Sequence, residues 1–371
     1  MTMETSVRRA HDLGQSIWLD DLSRELLESG KLEEYIRRGI RGVTSNPKIF
    51  DHALSEGDRY DETIRRLAAK GASPAQIYEQ VAVEDVQSAA DLLRRHFGVA
   101  LEQDGFVSLE VSPKLAYDTT QTIEEARRLW KAVDRPNLMI KVPGTEAGMP
   151  AIRQLTAEGI NVNVTLLFGI GQYREAASAY IEGLCDAAAS GRDLSSIRSV
   201  ASFFLSRIDV LVDGWLDEIS KDTARAKQAK TLRGEAAIAS AKLAYHACLE
   251  LFQSDRFLKL AQKGALRQHL LWGSTSVKNP SYSDVKYVEA LIGPGTVSTV
   301  PPKTFEAFVD HGRAEPLLGK NVPEAARRME QLQVLGIDMT EATQRLIREG
   351  VQKFQKPFDH MLRRLQEKKA A

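Results

Sequence analysis

Cysteine is scarce: the 371-residue chain has two, Cys185 and Cys248, both in helical-looking stretches. They form neither a CxxC pair nor a framework, which excludes a disulfide-stapled scaffold and points to a reduced compartment. Net charge is absent too, with 50 basic residues against 50 acidic ones. A balanced chain has no electrostatic footprint for DNA or RNA, although a few local cations suffice to hold one small anion. No apolar run approaches the ~20 residues of a membrane span. The first fifteen residues carry Arg8 and Arg9 but no apolar core, so they do not read as a secretory signal. A cytoplasmic protein is expected, and the sequon Asn163-Val164-Thr165 reads as chance. The seven histidines (11, 52, 96, 246, 269, 311 and 360) show no HxH or HExxH spacing. Neither a metal nor a cofactor is expected. Gly169-Ile170-Gly171 and Gly293-Pro294-Gly295 lack the complete dinucleotide or P-loop pattern and read as turns. No linker or low-complexity tract interrupts the chain, so residues 1–371 read as one domain.

What the chain does have is a recurring alternation. Short strand-like runs lie at 16–20, 42–46, 106–111, 138–142, 160–168, 200–205, 269–274 and 296–301, and helical patterns follow nearly all of them. Residues 124–133, for example, place Ala126, Leu129, Trp130 and Val133 on one helical face. Eight strands alternating with helices suggest an α/β fold, a parallel (β/α)8 TIM barrel with additional helices. A doubly wound sheet is the alternative, which counting strands does not exclude. Helical additions are expected at about 51–97, 208–266 and 324–369. The first should hold two helices, the second starting at Ser73-Pro74. The last should break at Gly336-Ile337-Asp338, with Thr340 capping a final helix. That helix carries an apolar run, Leu346, Val351, Phe354 and Phe358, suited to covering the barrel mouth.

One charged residue interrupts the apolar run Leu138-Met139-Ile140-Lys141-Val142-Pro143. A buried ammonium is expensive unless paired or deprotonated, and desolvation favours the neutral, nucleophilic amine. Such lysines form Schiff bases with carbonyl substrates. A structural lysine satisfied by a carboxylate is the competing reading. Other strands are also polar where a core strand should be apolar. In Ile160-Asn161-Val162-Asn163-Val164-Thr165 the polar residues share one face and the apolar ones the other. Helices must cover the apolar face, so the amides and hydroxyl look into the barrel, where they need partners. Asp20, Thr44, Ser45, Asn46, Glu110, Ser202 and Phe204 sit near the C-terminal ends of their runs, the end where (β/α)8 enzymes carry their sites. A lysine, two carboxylates and several amides without a metal suit imine chemistry. The carboxylates would move protons, the amides would grip a polyol, and Arg207 and Lys278 are candidate phosphate cations.

The motifs resemble those of the transaldolases. They are Gly42-Val43-Thr44-Ser45-Asn46-Pro47, Ser108-Leu109-Glu110-Val111-Ser112, Ile140-Lys141-Val142-Pro143, the run from Gly159 to Phe168, and Ser202-Phe203-Phe204-Leu205-Ser206-Arg207. The resemblance spans about residues 16–304, in motif order. Chain length and Glu349-Gly350-Val351-Gln352-Lys353-Phe354 are similar to the longer bacterial form rather than to the short fructose-6-phosphate aldolase-like proteins. The resemblance implies that Lys141 forms the imine and that Glu110 shuttles protons through a water near Thr165. It implies that Asp20 takes the C4 hydroxyl proton as the C3–C4 bond breaks, with Asp21 the neighbouring alternative. Asn46, Asn163 and Ser202 would hold a dihydroxyacetone unit, supported by Thr44, with Phe204 in the pocket wall. Arg207, Ser276 and Lys278 would bind the phosphate, Thr275 being the alternative to Ser276. Lys278 stands where many transaldolases have arginine, which keeps charge but loses bidentate geometry.

The implied reaction moves dihydroxyacetone from sedoheptulose 7-phosphate to glyceraldehyde 3-phosphate, giving erythrose 4-phosphate and fructose 6-phosphate in the non-oxidative pentose phosphate pathway. The expected partners are therefore small sugar phosphates, with no nucleic acid and no membrane. A homo-oligomer is compatible with the sequence, which shows no long heptad. Two rival readings are a free fructose-6-phosphate aldolase, which would release dihydroxyacetone, and a non-catalytic phosphosugar-binding barrel, which would need neither Lys141 nor Asp20. Lys48, Lys114 and Lys242 read as solvated, with Lys114 the nearest competitor to Lys141 as nucleophile.

Overall fold

The computed structural model describes residues 5–370. The N-terminal stretch for which no secretory signal is expected lies partly outside the described residues, at positions 1–4. Eight parallel strands close in chain order into a barrel. They are β1 (Gln15–Leu19), β2 (Gly42–Thr44), β3 (Phe106–Glu110), β4 (Leu138–Pro143), β5 (Val162–Leu167), β6 (Ser199–Phe204), β7 (His269–Gly273) and β8 (Thr296–Val300). β1 pairs with both β2 and β8, so the sheet has no edges and the doubly wound alternative is excluded. Each strand is buried along its whole length. Burial on both faces is why these runs read as short apolar stretches.

Period-two alternation sorts the side chains into layers. Val162 and Val164 belong to the main apolar core, together with residues of the surrounding helices. A second, separate cluster consists of Trp18, Phe106, Met139, Val200, Leu271 and Val297, contributed by six different strands. Moving two residues along each strand from this cluster reaches Asp20, Ser108, Lys141, Ser202, Gly273 and Thr299. An apolar plug therefore fills the lower barrel, and a polar layer lies directly above it at the strand C-termini. Gly42 makes room for the plug: a Cβ there would lie 2.4 Å from the Trp18 ring.

Two features of the helices outside the barrel differ from expectation. Between β2 and β3 there are three helices, Pro47–Ser55, Asp61–Ala69 and Pro74–Leu93, rather than two. The extra break falls at Glu56-Gly57, where Gly57 has φ +72°. Ser73 caps the third helix in a reciprocal box with Gln76, with Pro74 in the first turn. Residues 206–261 form the helices Ser206–Ile219, Thr223–Leu232, Ala236–Phe252 and Asp255–Ala261. Near the end, Val322–Val334 and Met339–Ala370 are separated at Gly336, φ +86°. Asp338, not Thr340, caps the final helix: its Oδ1 accepts from the Thr340 amide at 2.7 Å.

This last helix crosses the barrel mouth. Its own Leu346, Val351, Phe354, Phe358, Met361 and Leu365 are buried. Lys114–Asp359 (2.8 Å), His360–Asp51 (2.9 Å) and Lys368–Asp61 (2.6 Å) tie its outer half to the helices after β2 and the turn after β3. Gly350 allows the close approach, since a Cβ there would sit 3.1 Å from Leu166 Cδ2.

Replacing Gly42 by alanine should destabilise the fold by about 1–3 kcal/mol, the usual cost of overpacking a filled core. Chemical denaturation of the variant checks this, and an unchanged midpoint would contradict the layered plug.

Candidate active site

The polar layer lines a cavity of about 770 Å³ at the barrel mouth. Among the residues on its wall are Asp20, Thr44, Asn46, Lys141, Ser202, Phe204, Arg207, Ser276 and Lys278. Lys141 projects from β4, one pair removed from Met139 in the plug. It is 4% exposed. Its Nζ donates to the Ser45 carbonyl oxygen at 3.1 Å and lies 3.5 Å from Glu110 Oε2. The strand register sets this approach, because Glu110 on β3 pairs directly with Lys141 on β4. At 3.5 Å the contact is an ion pair rather than a good hydrogen bond. Both Glu110 oxygens and Thr165 Oγ1 are buried without a hydrogen-bond partner among the described residues. Burial pushes the Glu110 carboxyl up to about 7, against the opposing pull of Lys141.

A hydrogen-bonded row continues around the inner wall. Ser202 Oγ donates to Asn163 Oδ1 at 2.6 Å, and Asn163 Nδ2 donates to Ser108 Oγ at 3.0 Å. On the opposite side Thr44 Oγ1 donates to Asp20 Oδ1 at 2.8 Å and lies 2.7 Å from Thr299 Oγ1. Asp21 also lines the cavity. Burial, then the charge of Asp20, raises its carboxyl to about 6. Asp20 is the one tied into the strand-end network. Asn46 caps the helix Pro47–Ser55 through Oδ1, which accepts from Lys48 and Ile49 amides, while its Nδ2 makes no hydrogen bond among the described residues. Capping and facing the cavity are therefore compatible for this residue. Asn161, by contrast, is committed to backbone groups at the strand start, donating to Pro136 and Leu138 carbonyls and accepting from the Arg198 amide.

The cations sit to one side. Arg207 lies over the Phe204 ring (5.3 Å) and the Phe354 ring (5.5 Å), and its Nη1 is buried without a hydrogen-bond partner among the described residues. Lys278 Nζ donates to Ser276 Oγ at 2.6 Å. Burial lowers the Lys278 ammonium pKa, and the charges of Lys48 and Arg207 lower it further. Mutual repulsion of this kind is relieved by an anion held between them. Thr275 turns away, donating to the Thr299 carbonyl at 2.8 Å, so Ser276 is the hydroxyl on the cavity. Lys114 pairs with Asp359 outside the barrel mouth and Lys242 donates to the Leu317 and Lys320 carbonyls; neither lines the cavity.

A model of the transaldolase/fructose-6-phosphate aldolase family matches residues 17–365. The chain belongs to that family. It is an enzyme of the transaldolase type. Among its relatives, a transaldolase of Saccharopolyspora erythraea is 46% identical over 99% of this chain and 98% of its own. Transaldolases of Mycolicibacterium smegmatis and Thiobacillus denitrificans are each 48% identical over 94% of this chain, and over 93% and 96% of their own lengths.

Several cavity residues of this family member were not assigned to the site from the sequence, Phe354 being expected only in the helix over the barrel mouth. Lys48, read as solvated, borders the cavity, as do Thr299, Lys353 and Phe354. Phe354 lies 5.8 Å from Lys141 Nζ by its ring centre, so the final helix closes over the amine itself. Lys353 pairs with Glu349 at 3.2 Å. The apolar run Leu346, Val351, Phe354 and Phe358 already pointed Phe354 toward the barrel mouth, whereas nothing local to Lys353 tells that it borders the cavity. Among the described residues, no helix is long and apolar enough to cross a membrane.

Glu110 carries a pH signature. Its folded carboxyl stays protonated up to about 7, whereas an unfolded glutamate ionises near 4.5. Between those values the folded state binds the extra proton, so stability falls as pH rises. The contribution is complete below about 4.5 and gone above about 7. The melting temperature of the wild type relative to Glu110→Gln should therefore decline across that window. A difference that is flat with pH would show that Glu110 is not desolvated.

Proposed function

We propose that the enzyme transfers a dihydroxyacetone unit through a Schiff base on Lys141. The donor is sedoheptulose 7-phosphate and the acceptor glyceraldehyde 3-phosphate, within the non-oxidative pentose phosphate pathway. The observation that carries the proposal is the buried Lys141 amine, 3.5 Å from a carboxyl, on a cavity lined by hydroxyls and the Asn46 amide with cations to one side.

The chemistry follows from that layout. Lys141 Nζ attacks the ketose C2 carbonyl and its proton passes to the new hydroxyl. Glu110, poised near neutrality, delivers a proton as that hydroxyl leaves as water. A water held between Glu110 and Thr165 gives the buried oxygens their missing partner and carries the proton. The resulting iminium is an electron sink. Asp20 then takes the proton from the C4 hydroxyl, the C3–C4 bond breaks, and its electron pair enters the C2–C3 enamine as erythrose 4-phosphate departs. The enamine carbon attacks the aldehyde of glyceraldehyde 3-phosphate, and Asp20 returns the proton to the new hydroxyl. Water then releases fructose 6-phosphate and restores Lys141. The Asn163–Ser202 pair and Asn46 hold the three-carbon unit, Thr44 orients Asp20, and Phe204 walls the pocket. Arg207, Lys278 and Ser276 hold the phosphate. Transfer requires that the enamine survive until the acceptor arrives, and Phe354 with the final helix restricts water at the imine.

Borohydride reduction in the presence of fructose 6-phosphate, followed by peptide mass mapping, tests the proposal. A three-carbon adduct on Lys141 is expected. An intact six-carbon adduct would keep the imine but remove Asp20 from the cleavage step. No adduct on the folded protein would leave the binding barrel as the better reading. Dihydroxyacetone released freely without acceptor, at the rate of transfer, would instead favour the free aldolase that the family description also covers.

Lys278→Ala should raise KM for phosphorylated donors roughly 10- to 100-fold, as expected for a lost charge-assisted hydrogen bond. It should leave kcat for unphosphorylated ketoses nearly unchanged. Steady-state kinetics with fructose 6-phosphate and fructose distinguishes the two effects, and an equal loss for both sugars would place the phosphate elsewhere.

A further inference from the structure

β5 does not run regularly to its end. Val164 pairs with Ala201 of β6, but Leu167 pairs with Phe203, so β5 spends three residues where β6 spends two. The extra residue is accommodated at Leu166, whose φ of +60° is unusual for a branched side chain. This bulge lies immediately after Thr165 and interrupts the β5–β6 ladder at the C-terminal end of the strand. Leu166 is also the side chain that the final helix approaches most closely at Gly350.

A single amide closes the opened backbone. Gln172, two residues into the helix Ile170–Ala189, is nearly buried. Its Oε1 accepts from the Phe168 amide at 2.9 Å. Its Nε2 donates to the Leu166 carbonyl at 3.0 Å and to the Gly144 carbonyl at 2.5 Å. Gly144 follows β4 and donates in turn to the Thr165 carbonyl at 2.7 Å. The side chain thus spans the ends of the strands that carry Lys141 and Thr165. A Cβ at Gly144 would meet Leu167 at 2.6 Å and Gln172 Nε2 at 3.3 Å, so glycine is what admits the amide.

We infer that Gln172 is a positioning residue for the Schiff-base reaction: by clamping the β5 bulge it sets Thr165 against Glu110 and Lys141 and seats Leu166 under the final helix. The inference rests on the function proposed above. Non-Gly residues in the left-handed region persist only where their surroundings enforce them. Here the enforcing groups are three hydrogen bonds from one side chain, and removing them leaves buried backbone groups unpaired. The strand end can then relax toward regular pairing, which moves the Thr165 hydroxyl. Displacements of this size cost on the order of 10- to 100-fold in rate.

The test compares wild type, Gln172→Leu, Thr165→Ala and the double variant in imine trapping by borohydride and in steady-state transfer. Gln172→Leu should lower the trapping rate and kcat at least tenfold with little change in KM, and should raise the fraction of turnovers that release dihydroxyacetone. Because the residue acts through Thr165, the double variant should trap no more slowly than Thr165→Ala alone. Gln172→Glu covers the case in which the leucine variant does not fold: its protonated carboxyl can both donate and accept, so its trapping rate, relative to wild type, should recover as pH falls. Trapping equal to wild type in both folded variants, or losses that multiply in the double variant, would overturn the clamp while leaving the function intact. A wild type that traps nothing would overturn the proposed function and the clamp's role with it.

Discussion

An amine and a carboxyl held 3.5 Å apart, both almost out of reach of water, form the contact around which this barrel is arranged. Burying two ionisable groups side by side is costly, and their attraction offsets that cost only with good geometry and further hydrogen bonds. Here the geometry is incomplete: the glutamate oxygens have no hydrogen-bond partner among the described residues. The site is thus kept short of full satisfaction by a fold stable enough to tolerate it. Such incomplete satisfaction is found where groups must exchange protons rather than hold a structure together.

The layering of the barrel makes this arrangement tolerable. Large apolar side chains from six strands fill the lower half, and the polar residues two positions further along are thereby raised to the mouth. The plug supplies the stability that the reactive layer gives up. It also gives the polar groups a rigid floor, so that Asp20 above Trp18 and Lys141 above Met139 inherit the positions of tightly packed neighbours. Sites borne on strands in this way are held more precisely than sites on loops.

The roof comes from the other end of the chain. The final helix brings Lys353 and Phe354 to a cavity otherwise built from strand ends, the segments that follow them and the helix Pro47–Ser55. Phe354 faces both Lys141 and Arg207, so one ring links the reacting end of the cavity to its cationic end. The β5 bulge is where roof and wall meet, because Leu166 lies against the final helix at Gly350. In the proposed reaction, water exclusion and proton transfer would share this joint, which Gln172 holds with three hydrogen bonds.

Much of this was legible in the chain itself. Alternation of strand and helix patterns, the lone lysine in an apolar run, and the polar face of residues 161–165 are local signals with local causes, namely side-chain period and burial cost. They pointed to the barrel, the candidate nucleophile and less than half of the cavity wall, and none of residues 161–165 lines that wall. What the sequence did not reveal depends on distance through space. The three-helix excursion after β2 turns on one glycine break, and the Asp338 cap on which residue starts the last helix. The bulge at Leu166 carries no glycine to announce it, because its unusual backbone is enforced by a side chain from the next helix. The approach of Glu110 to Lys141, the choice of Ser276 over Thr275, and the entry of Lys353 and Phe354 into the cavity all follow from closing the barrel and laying a helix across it. Composition and periodicity act within a few residues along the chain, whereas register and closure join residues hundreds apart, and only the folded structure decides those.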